Sequence, residues 1–408
     1  MTNETKNVPE LRFKEFSKEW EYNNLKDITT LLKDGTHGTH KNVENGPWLL
    51  SAKNIKNNTI NISDEDRKIS ITDYNKIYKN YTLEREDILL SIVGTIGRVS
   101  MVKDPVNIAF QRSVAIIRFS KPLESKFFLY LFGTKEFKKK LYRNQVVSAQ
   151  PGIYLGDLAK FNIIYPLIIE EQQKIGEFFS KLDRQIELEE QKLAKLEEQK
   201  KGYMQQIFSQ KLRFKDENGS DYPNWEEVQL KDILIRRDHK QVPEINAPLM
   251  SFTSTGGIEP KGDRYNREFL VKNKNKKYKR TEFNDLIYSS NNLDVGAIGL
   301  NRYGASVISD VYEIFKIEEQ VSPYFIEMSI LQPEFMYKIL RYRQGALYGQ
   351  YRIHANDFLK INIELPCSEE QYKIGDFVNK LDNIIDIINN KIELLKQRKR
   401  GFLQKMFI

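Results

Sequence analysis

The chain has 408 residues, of which 40% are hydrophobic and 12% aromatic, and its formal net charge is +8. This length and apolar content are enough for two or three hydrophobic cores, so we expect a globular protein. No run of 18 apolar residues occurs, which excludes a transmembrane helix, and the single Cys367 excludes an intramolecular disulfide. Because no apolar run preceded by basic residues opens the sequence, we expect a cytoplasmic protein.

The first part of the chain has the pattern of a mixed α/β domain. Residues 87–93 and 113–119 are short alternating or apolar runs typical of strands, and residues 125–142 have helical spacing. Gly94 and Gly97 follow the first of these strands. Such a turn allows the backbone to approach a phosphate or base closely, or it simply closes a hairpin.

Polar and basic side chains cluster around these turns. Asn, Gln, Ser, Thr and Arg beside glycines are able to read base edges, and Arg and Lys also contact phosphates. One such segment alone is more often a solvated loop, but several together favour contact with DNA. The predicted DNA-binding residues of this first domain are Lys33, Thr36, His37, Lys53, Asn54, Thr95, Arg98, Gln111, Arg112, Gln145, Ser148 and Gln150.

A long helix follows the first domain. Its apolar residues alternate at spacings of four and three, with charged residues at the outward positions, which is the heptad pattern of a coiled coil. Glu189 and Lys200 interrupt this seam, and no proline breaks the segment. The predicted packing residues are Ile175, Phe179, Leu182, Ile186, Leu193 and Leu196.

The pattern then begins again in a second domain. Residues 212–215 repeat residues 11–14, and Trp225 stands where Trp20 stands in the first copy. The residues around the turns differ, which indicates one scaffold carrying two specificities. The predicted DNA-binding residues here are Arg236, Arg237, Ser254, Asn291, Asn292, Arg302, Arg343, Gln344, Gln350, Tyr351 and Arg352.

A second copy of the long helix ends the sequence. Residues 370–382 repeat residues 171–183 with a shift of 199 positions, and Lys399 takes the place of Lys200 in the seam. A period of this length is too long for a solenoid, so the chain is a tandem duplication of one domain plus one helix. The predicted packing residues of this helix are Ile374, Val378, Leu381, Ile385, Ile388, Ile392 and Leu395.

The duplication predicts an α+β fold with two tandem mixed α/β domains, separated by two long helices that pack as an antiparallel coiled coil with pseudo-twofold symmetry. If each domain has its chain ends close together, the end of the first helix and the start of the second meet at the second domain, which requires antiparallel packing. We expect the helices to act as a spacer; an ordinary helical hairpin is the alternative. The predicted boundaries are 1–165 and 211–364 for the domains and 166–210 and 365–408 for the helical spacers.

Signatures of catalysis are missing from the sequence. It has no Walker A loop, no dinucleotide fingerprint, and no Asn/Asp-Pro-Pro-aromatic tetrad of the amino-methyltransferases. Its four histidines and one cysteine do not make a convincing zinc site: His37 and His40 share a loop, but His239 and His354 have no neighbour at the spacing of a ligand. We therefore predict a binding protein with no catalytic residues, no metal site and no cofactor of its own.

The twin helical blocks and the domains between them resemble the specificity subunit of type I restriction-modification systems. The resemblance covers nearly the whole chain and rests most on residues 166–208, on residues 366–407, and on residues 87–89 ahead of the Gly94 turn. It implies two target recognition domains, each reading one half of an asymmetric bipartite site in double-stranded DNA, and helices that set the gap and dock two methyltransferase subunits. The recognition domains of the family vary too much for any base-reading residue to be assigned by motif.

The resemblance also implies what the partners contribute. S-adenosylmethionine, ATP and Mg would be bound by the methyltransferase and restriction subunits, and the assembled complex would be an adenine DNA methyltransferase and an ATP-dependent endonuclease. We expect no membrane partner. Two alternatives remain open: a coiled-coil adaptor whose domains bind proteins, and a stand-alone DNA-binding regulator. The adaptor predicts no salt-dependent affinity for DNA, whereas the regulator predicts specific binding by the chain alone.

Overall fold

A computed structural model of the chain describes residues 7–146, 151–253, 257–260, 275–290, 298–342, 344–347 and 350–408. Within these ranges, the backbone alone is described for residues 260, 344–347, 350 and 351. The chain divides into two compact units, residues 1–193 with 388–408, and residues 194–387. Each unit contains one mixed domain and a part of each long helix. Because this division cuts through the helices, the four predicted boundaries stay a prediction.

The domain of the first unit is built on a four-stranded antiparallel sheet. The strands of the unit are β1 (Glu21–Asn24), β2 (Thr29–Asp34), β3 (Trp48–Leu50), β4 (Ile55–Lys56), β5 (Thr59–Ile60), β6 (Ile88–Ser91), β7 (Val99–Met101), β8 (Ile108–Phe110), β9 (Val114–Phe119) and β10 (Asn162–Tyr165). Its helices are α1 (Ile71–Ile77), α2 (Ser125–Gly133), α3 (Lys135–Arg143), α4 (Leu155–Ala159) and the first part of α5 (Ile169–Phe208). The sheet order is β2, β9, β6, β7, and β1 pairs with β10 beside it.

The main core of this unit joins the sheet to the helices. The ring of Trp20 lies 5.6 Å from that of Phe127 on α2, and both side chains are fully buried. Phe407, near the end of the chain, lies 5.3 Å from Phe127 and 5.7 Å from Phe179 on α5. The domain and the long helices therefore share one apolar core. The strand and helix segments expected at 87–93, 113–119 and 125–142 are found as β6, β9 and the pair α2 and α3.

The second unit repeats this plan. Its strands are β11 (Glu226–Gln229), β12 (Leu234–Arg236), β13 (Lys240–Gln241), β14 (Met250–Thr253), β15 (Gly257–Pro260), β16 (Tyr278–Thr281), β17 (Leu286–Ser289), β18 (Ile298–Leu300), β19 (Ser306–Ile308), β20 (Tyr312–Ile317), β21 (Gln344–Leu347), β22 (Gln350–Arg352) and β23 (Asn362–Leu365). Its helices are α6 (Pro323–Ile330), α7 (Pro333–Leu340), α8 (Ala355–Phe358) and the first part of α9 (Ser368–Lys405). The sheet order β12, β20, β17, β18 matches that of the first unit.

The core of the second unit also matches. The ring of Trp225 lies 5.5 Å from that of Phe325 on α6 and 6.1 Å from that of Phe208 on α5. Trp225 therefore occupies the place of Trp20, and Phe325 the place of Phe127. The repeated tryptophans of the sequence are the centres of the two cores.

The long helices pack antiparallel, as predicted. Helix α5 has 40 residues and α9 has 38. In the first unit, Asp183 and Glu190 of α5 pair with Lys399 and Lys396 of α9, so residue numbers rise on one helix as they fall on the other. The predicted packing residues are all buried or half-buried: Ile175, Phe179, Leu182, Ile186 and Leu193 with Ile388, Ile392 and Leu395 in the first unit, and Leu196 with Ile374, Val378, Leu381 and Ile385 in the second.

The polar residues that interrupt the heptad seam form ion pairs across it. Glu189 pairs with Lys391 and Lys399 with Asp183 in the first unit, and Lys200 pairs with Asp382 in the second. These pairs fix the register of the two helices, because a shifted helix would leave a half-buried charge without its partner. No helix in the described ranges combines the length and apolarity needed to cross a membrane.

Candidate nucleic-acid interface

The end of the sheet where β2 and β6 finish and β9 begins is the candidate DNA-binding edge of the first domain. The antiparallel register places Asp34 opposite Ala115 and Ser91 opposite Val114. The loops that follow β2 and β6 and the turn that precedes β9 therefore lie side by side. Most of the polar residues predicted from the sequence lie on these loops.

Hydrogen bonds join these loops to one another. The amide of Arg112 donates to the carbonyl oxygen of Thr36 at 3.1 Å. Ser113 Oγ accepts from the amide of Ala52 at 3.1 Å, and Arg98 Nη1 donates to the carbonyl oxygen of Ala52 at 3.4 Å. The segment after β3 and the turns around β6 and β9 are thereby held at one edge.

The glycine turn brings a further segment to this edge. Gly94 has a φ of +76°, which favours glycine, and its amide donates to the carbonyl oxygen of Pro151 at 3.1 Å. The amide of Val146 donates to the carbonyl oxygen of Gly152 at 2.9 Å, so Gln145 also lies close to this turn. The sequence left open whether this turn serves DNA contact or closes a hairpin. In the structure it connects β6 to the other loops of the edge.

We call this surface the recognition edge and define it by residues 33–37, 51–54, 93–98, 111–113 and 145–146. It contains all the predicted residues of the first domain that the structure describes: Lys33, Thr36, His37, Lys53, Asn54, Thr95, Arg98, Gln111, Arg112 and Gln145. Ser148 and Gln150 lie outside the described residues. These assignments to DNA stay predictions, but the residues converge on one surface from five separate stretches of sequence.

The exposed groups of the recognition edge are mostly donors and cations. Arg112 and Thr95 are exposed, and the Lys33 ammonium lies 4.5 Å from the centre of the Tyr81 ring. His37 Nε2 lies 2.5 Å from Asp34 Oδ2, and its side chain is 64% exposed. This mixture suits contact with phosphates and with the acceptor atoms of bases.

Two predicted residues have clear structural partners at this edge. Asn54 is 4% exposed; its Nδ2 donates to Asn61 O and to Asp66 Oδ2, and its Oδ1 accepts from the amide of Ser51. The Lys53 ammonium lies 2.6 Å from Asp66 Oδ1. Burial opposes ionisation of Asp66, but the hydrogen bonds from Lys53, Ser63 and Asn54 outweigh it and lower the pKa of this carboxyl to about 2. We therefore interpret Asn54 as a residue that shapes the loop and Lys53 as its exposed cation.

A pocket of about 360 Å³ opens at the recognition edge and contains residues that sequence reasoning missed. It is lined by His37 and Arg112, and also by Asp34 and Tyr154. Tyr154 is 67% exposed and is the N-cap residue of α4. A tyrosine beside an arginine adds a hydroxyl group that is able to contact the phosphate oxygens of duplex DNA. The available signal was its position three residues before Asp157, in a block that recurs at Asp357.

Three of the predicted arginines of the second domain, Arg236, Arg237 and Arg302, are paired with carboxylates. Arg236 Nη2 lies 2.9 Å from Glu313 Oε2, which also receives Lys279 Nζ at 3.2 Å. Arg302 Nη2 lies 2.6 Å from Glu327 Oε2. Arg236 Nε also lies 3.5 Å from Asp238 Oδ1, so two carboxylates balance the two cations around Arg236.

Arg237 has a counterpart in the framework of the first domain. Its Nε lies 2.8 Å from Oδ2 of the buried Asp285, which directly precedes β17. In the first domain the buried Asp87 directly precedes β6 and is paired with Arg118 at 2.7 Å. The two domains therefore neutralise equivalent buried carboxylates from different positions: Arg118 lies in β9, whereas Arg237 directly follows β12. We interpret Arg237 as a framework residue of its sheet.

The remaining predicted residues of the second domain are less completely described. Arg302 follows β18, at the end of the sheet where β17 begins, because Leu286 lies opposite Leu300. Arg352 lies at the other end, since the next residue, Ile353, donates its amide to Ser290 O at 3.0 Å. The predicted residues that lie outside the description, wholly or by their side chains, are Ser254, Asn291, Asn292 and Arg343, and Gln344, Gln350 and Tyr351.

Among the described residues, no three His, Cys, Asp or Glu side chains are placed to hold a metal ion. His37 and His40 share a loop but contact different groups: His37 faces Asp34, and His40 Nε2 lies 2.9 Å from Thr36 Oγ1. The second contact fixes the start of the loop that carries His37. Both histidines thus have partners within the domain.

Comparison with known proteins agrees with this architecture. A family model described as the type I restriction modification DNA specificity domain matches residues 17–198 and again residues 222–397. Because these two matches cover most of the sequence, the chain belongs to this family. The repeated match also agrees with the tandem duplication.

Individual relatives are more distant. The chain is 27% identical over 211 residues to the type I restriction enzyme MjaVIII specificity subunit of Methanocaldococcus jannaschii; the alignment covers 50% of this chain and 49% of that protein. The chain thus spans about half the length of this curated relative.

Solved structures confirm the fold class. The S subunit of a type I restriction-modification system from M. genitalium aligns over 98% of this chain and 99% of its own, with a TM-score of 0.62 and 15% identity. A second structure, from work on complex assembly and conformational transition of the type I restriction-modification system, aligns over 95% and 97%, with a TM-score of 0.53 and 13% identity. At these identities the likeness concerns the fold alone.

Proposed function

We propose that this chain is the DNA-recognition subunit of a type I restriction-modification complex. Each mixed domain reads one half of an asymmetric bipartite site in double-stranded DNA, and the helices set the gap between the halves. The observation that carries this proposal is the recognition edge, where residues from five loops, including Thr95, Arg98, Gln111 and Arg112, form one polar and cationic surface. The whole edge is held on a rigid sheet packed against the long helices.

The physical chemistry of the edge fits a reader of duplex DNA. Arginine and glutamine side chains form paired hydrogen bonds with guanine and adenine edges in the major groove, while lysines contact phosphates. Each domain alone offers a small contact surface. Joining two weak readers in one chain raises the effective concentration of the second once the first is bound, and specificity then depends on spacing as well as on bases.

The chemistry of modification and cleavage belongs to the partner subunits in this proposal. Two methyltransferase subunits dock on the helical spacers and carry S-adenosylmethionine, and each half-site receives one methylated adenine. Restriction subunits, with ATP and Mg, supply translocation and cleavage. The chain itself is not an enzyme, binds no cofactor and acts in the cytoplasm.

The adaptor and the stand-alone regulator are less well supported. Membership of the DNA specificity family argues against a protein-binding adaptor. A regulator would need no methyltransferase, whereas the long antiparallel helix pair offers a surface for partner subunits in addition to fixing the domains.

Methylome sequencing tests the proposal. Cells expressing this chain with its candidate methyltransferase subunit should gain a bipartite motif with one modified adenine in each half, and cells expressing the methyltransferase alone should not. If no new motif appears although the two proteins copurify, the proposal is wrong.

A further inference from the structure

A single aspartate in the first unit links the recognition domain to both long helices. Asp183 on α5 receives the Lys399 ammonium from α9 on its Oδ1. Its Oδ2 accepts hydrogen bonds from Tyr130 Oη on α2 at 3.0 Å and from Asn58 Nδ2, in the turn between β4 and β5, at 3.2 Å. Three elements of the unit therefore meet at one carboxylate.

The second unit has the same arrangement. Asp382 on α9 receives the Lys200 ammonium from α5 on its Oδ1, and its Oδ2 accepts from Tyr324 Oη on α6 at 3.3 Å. The aspartates are counterparts in the repeat, and so are the two lysines. Each unit thus joins its domain and both helices through an equivalent carboxylate.

The tyrosines, in contrast, are not counterparts. Phe127 and Phe325 occupy equivalent places beside their tryptophans, so the counterpart of Tyr130 is Met328 and that of Tyr324 is Lys126. The two domains reach the same aspartate with a phenol from different positions of their helices. Simple inheritance from the duplicated ancestor does not explain this coincidence, which indicates that the contact itself is required.

Both tyrosines remain hydrogen-bond donors at neutral pH. Burial and the neighbouring Asp183 charge raise the pKa of Tyr130, and burial and Asp382 raise that of Tyr324 to about 12. A protonated phenol donates a hydrogen bond to a carboxylate that is already paired with a lysine, and this hydrogen bond is charge-assisted.

The side chains that bind the two aspartates lie close to residues predicted to bind DNA. In the first unit, Asn58 lies in the turn after β4, and the segment that carries Lys53 and Asn54 directly precedes that strand. In the second, the Arg302 guanidinium lies 4.5 Å from the centre of the Tyr324 ring. Each aspartate is therefore connected through one side chain, Asn58 or Tyr324, to a part of its domain that lies close to a predicted DNA-binding residue.

We infer that Asp183 and Asp382 are positioning residues for DNA recognition. Each holds its domain at one angle on the helix pair of its own unit, and the two together restrict the number of base pairs allowed between the half-sites. This inference rests on the proposed function. According to this inference, the gap between the half-sites is strict because of the way the domains are attached as well as because of the length of the helices.

The test compares the parent chain with Tyr130→Phe, Asp183→Asn and Tyr324→Phe, each co-expressed with the methyltransferase subunit. Methylome sequencing gives the fraction of half-site pairs modified at the parent gap and at gaps one base pair shorter or longer. We expect each variant to raise modification at the altered gaps by about fivefold or more, the lower range of coupling between linked sites. The bases read in each half should not change, because the recognition edge keeps its own contacts.

Glu190→Gln is the matched control. Glu190 Oε1 lies 2.9 Å from Lys396 Nζ, so this pair also joins α5 to α9 in the first unit, but it does not link them to the domain. We expect the control to keep the strict gap of the parent. Relaxation of the gap in the control to the same degree as in the variants would overturn the inference, because helix pairing in general would then be responsible.

The remaining outcomes separate the inference from the proposed function. If the parent modifies a bipartite motif and the folded variants keep its strict gap, the inference is wrong and the proposed function stands. If the parent gives no bipartite motif, the proposed function is wrong and the inference is overturned with it. Thermal unfolding of each variant shows that the compared chains are folded.

Discussion

Glu171 accepts two hydrogen bonds from the Arg12 guanidinium: Arg12 Nε donates to Oε1 and Nη2 donates to Oε2, each at 2.7 Å. Trp20 Nε1 adds a third hydrogen bond to Oε1 at 3.3 Å, and the Glu171 side chain is fully buried. In the second unit Arg213 donates to both oxygens of the buried Glu370 in the same way, and Trp225 Nε1 donates to Oε2, the oxygen that accepts from Arg213 Nη2. The three repeated segments around residues 12, 20 and 171 thus contribute their side chains to one interaction.

The first prediction concerns this pair. Replacing Glu171 by Gln leaves the nearly buried Arg12 without a counter-charge, which should lower the free energy of unfolding by about 3 kcal/mol. Thermal unfolding measures the change. Glu15→Gln is the control, because Glu15 pairs with Lys174 in the same region but at the surface, and we expect no measurable change there. Equal stability of the Glu171 variant and the parent would contradict the prediction.

The second prediction concerns DNA affinity at the recognition edge. If Arg112 contacts a phosphate, Arg112→Ala should weaken binding and reduce the slope of log affinity against log salt by about 1. Lys121→Ala is the matched control: Lys121 is 82% exposed and follows the end of β9, whereas Arg112 precedes its beginning. Titrations of labelled duplex at several salt concentrations give both slopes. An unchanged slope for Arg112→Ala removes this residue from the phosphate contacts.

A third prediction follows from the lowered pKa of Asp66. The folded value of about 2 lies below the ordinary value of 3.8, so the ionised carboxylate stabilises the fold above pH 3.8. This contribution is lost as the pH falls from about 4 towards 2. Asp66→Asn should therefore be less stable than the parent at neutral pH, and the difference in Tm should shrink over that interval.

Asp64→Asn controls for the loss of a charge in the same loop, because Asp64 is exposed. We expect it to follow the parent at every pH. A constant difference in Tm between Asp66→Asn and the parent from pH 7 to pH 2 would show that the carboxylate charge is not the cause.

The fourth prediction tests the helices as a ruler. Inserting seven residues into α5 between Glu187 and Lys200, and seven into α9 between Asp386 and Lys399, preserves the heptad register and adds about 10.5 Å. Since base pairs are about 3.4 Å apart, the gap should grow by about three base pairs with both half-sites unchanged. Methylome sequencing reads the new motif. An insertion in α5 alone should abolish the motif, because it shifts ion pairs such as Glu190 with Lys396. Altered half-sites in the double insertion would refute the ruler.

The fifth prediction is independent reading by the two domains. Exchanging residues 20–160 for the corresponding domain of another family member should change one half-site and leave the other half and the gap intact. The exchange keeps Arg12, Glu171 and Asp183, so a donor domain with counterparts of Trp20 and Tyr130 is attached as the old one was. A change in both halves would show that the domains do not read separately.

Local patterns were enough for much of the architecture. The heptad spacing from Ile175 to Leu196 and from Ile374 to Leu395, and the repeat of Trp20 at Trp225, depend on residues close together in sequence or on direct similarity. The period of an amphipathic helix and the alternation of a strand both depend only on residues that are close together in the sequence. For this reason the duplicated α+β plan, the long helices and the polar loops were all readable from the sequence.

What the sequence could not decide depends on strand register and on long-range partners. Asn54 is buried and hydrogen-bonded to Asp66, and Arg237 forms an ion pair with Asp285. From their residue types alone, both Asn54 and Arg237 were predicted to contact DNA. Likewise Lys200 and Lys399 read as breaks in the apolar seam, and the structure shows them bonded to Asp382 and Asp183. A charge is tolerated in a half-buried position when an opposite charge meets it there, and that partner lies more than 180 residues away in the chain. The sequence by itself determined which elements form and that they form twice; the tertiary structure alone decided which polar side chains hold the fold and which are free to face DNA.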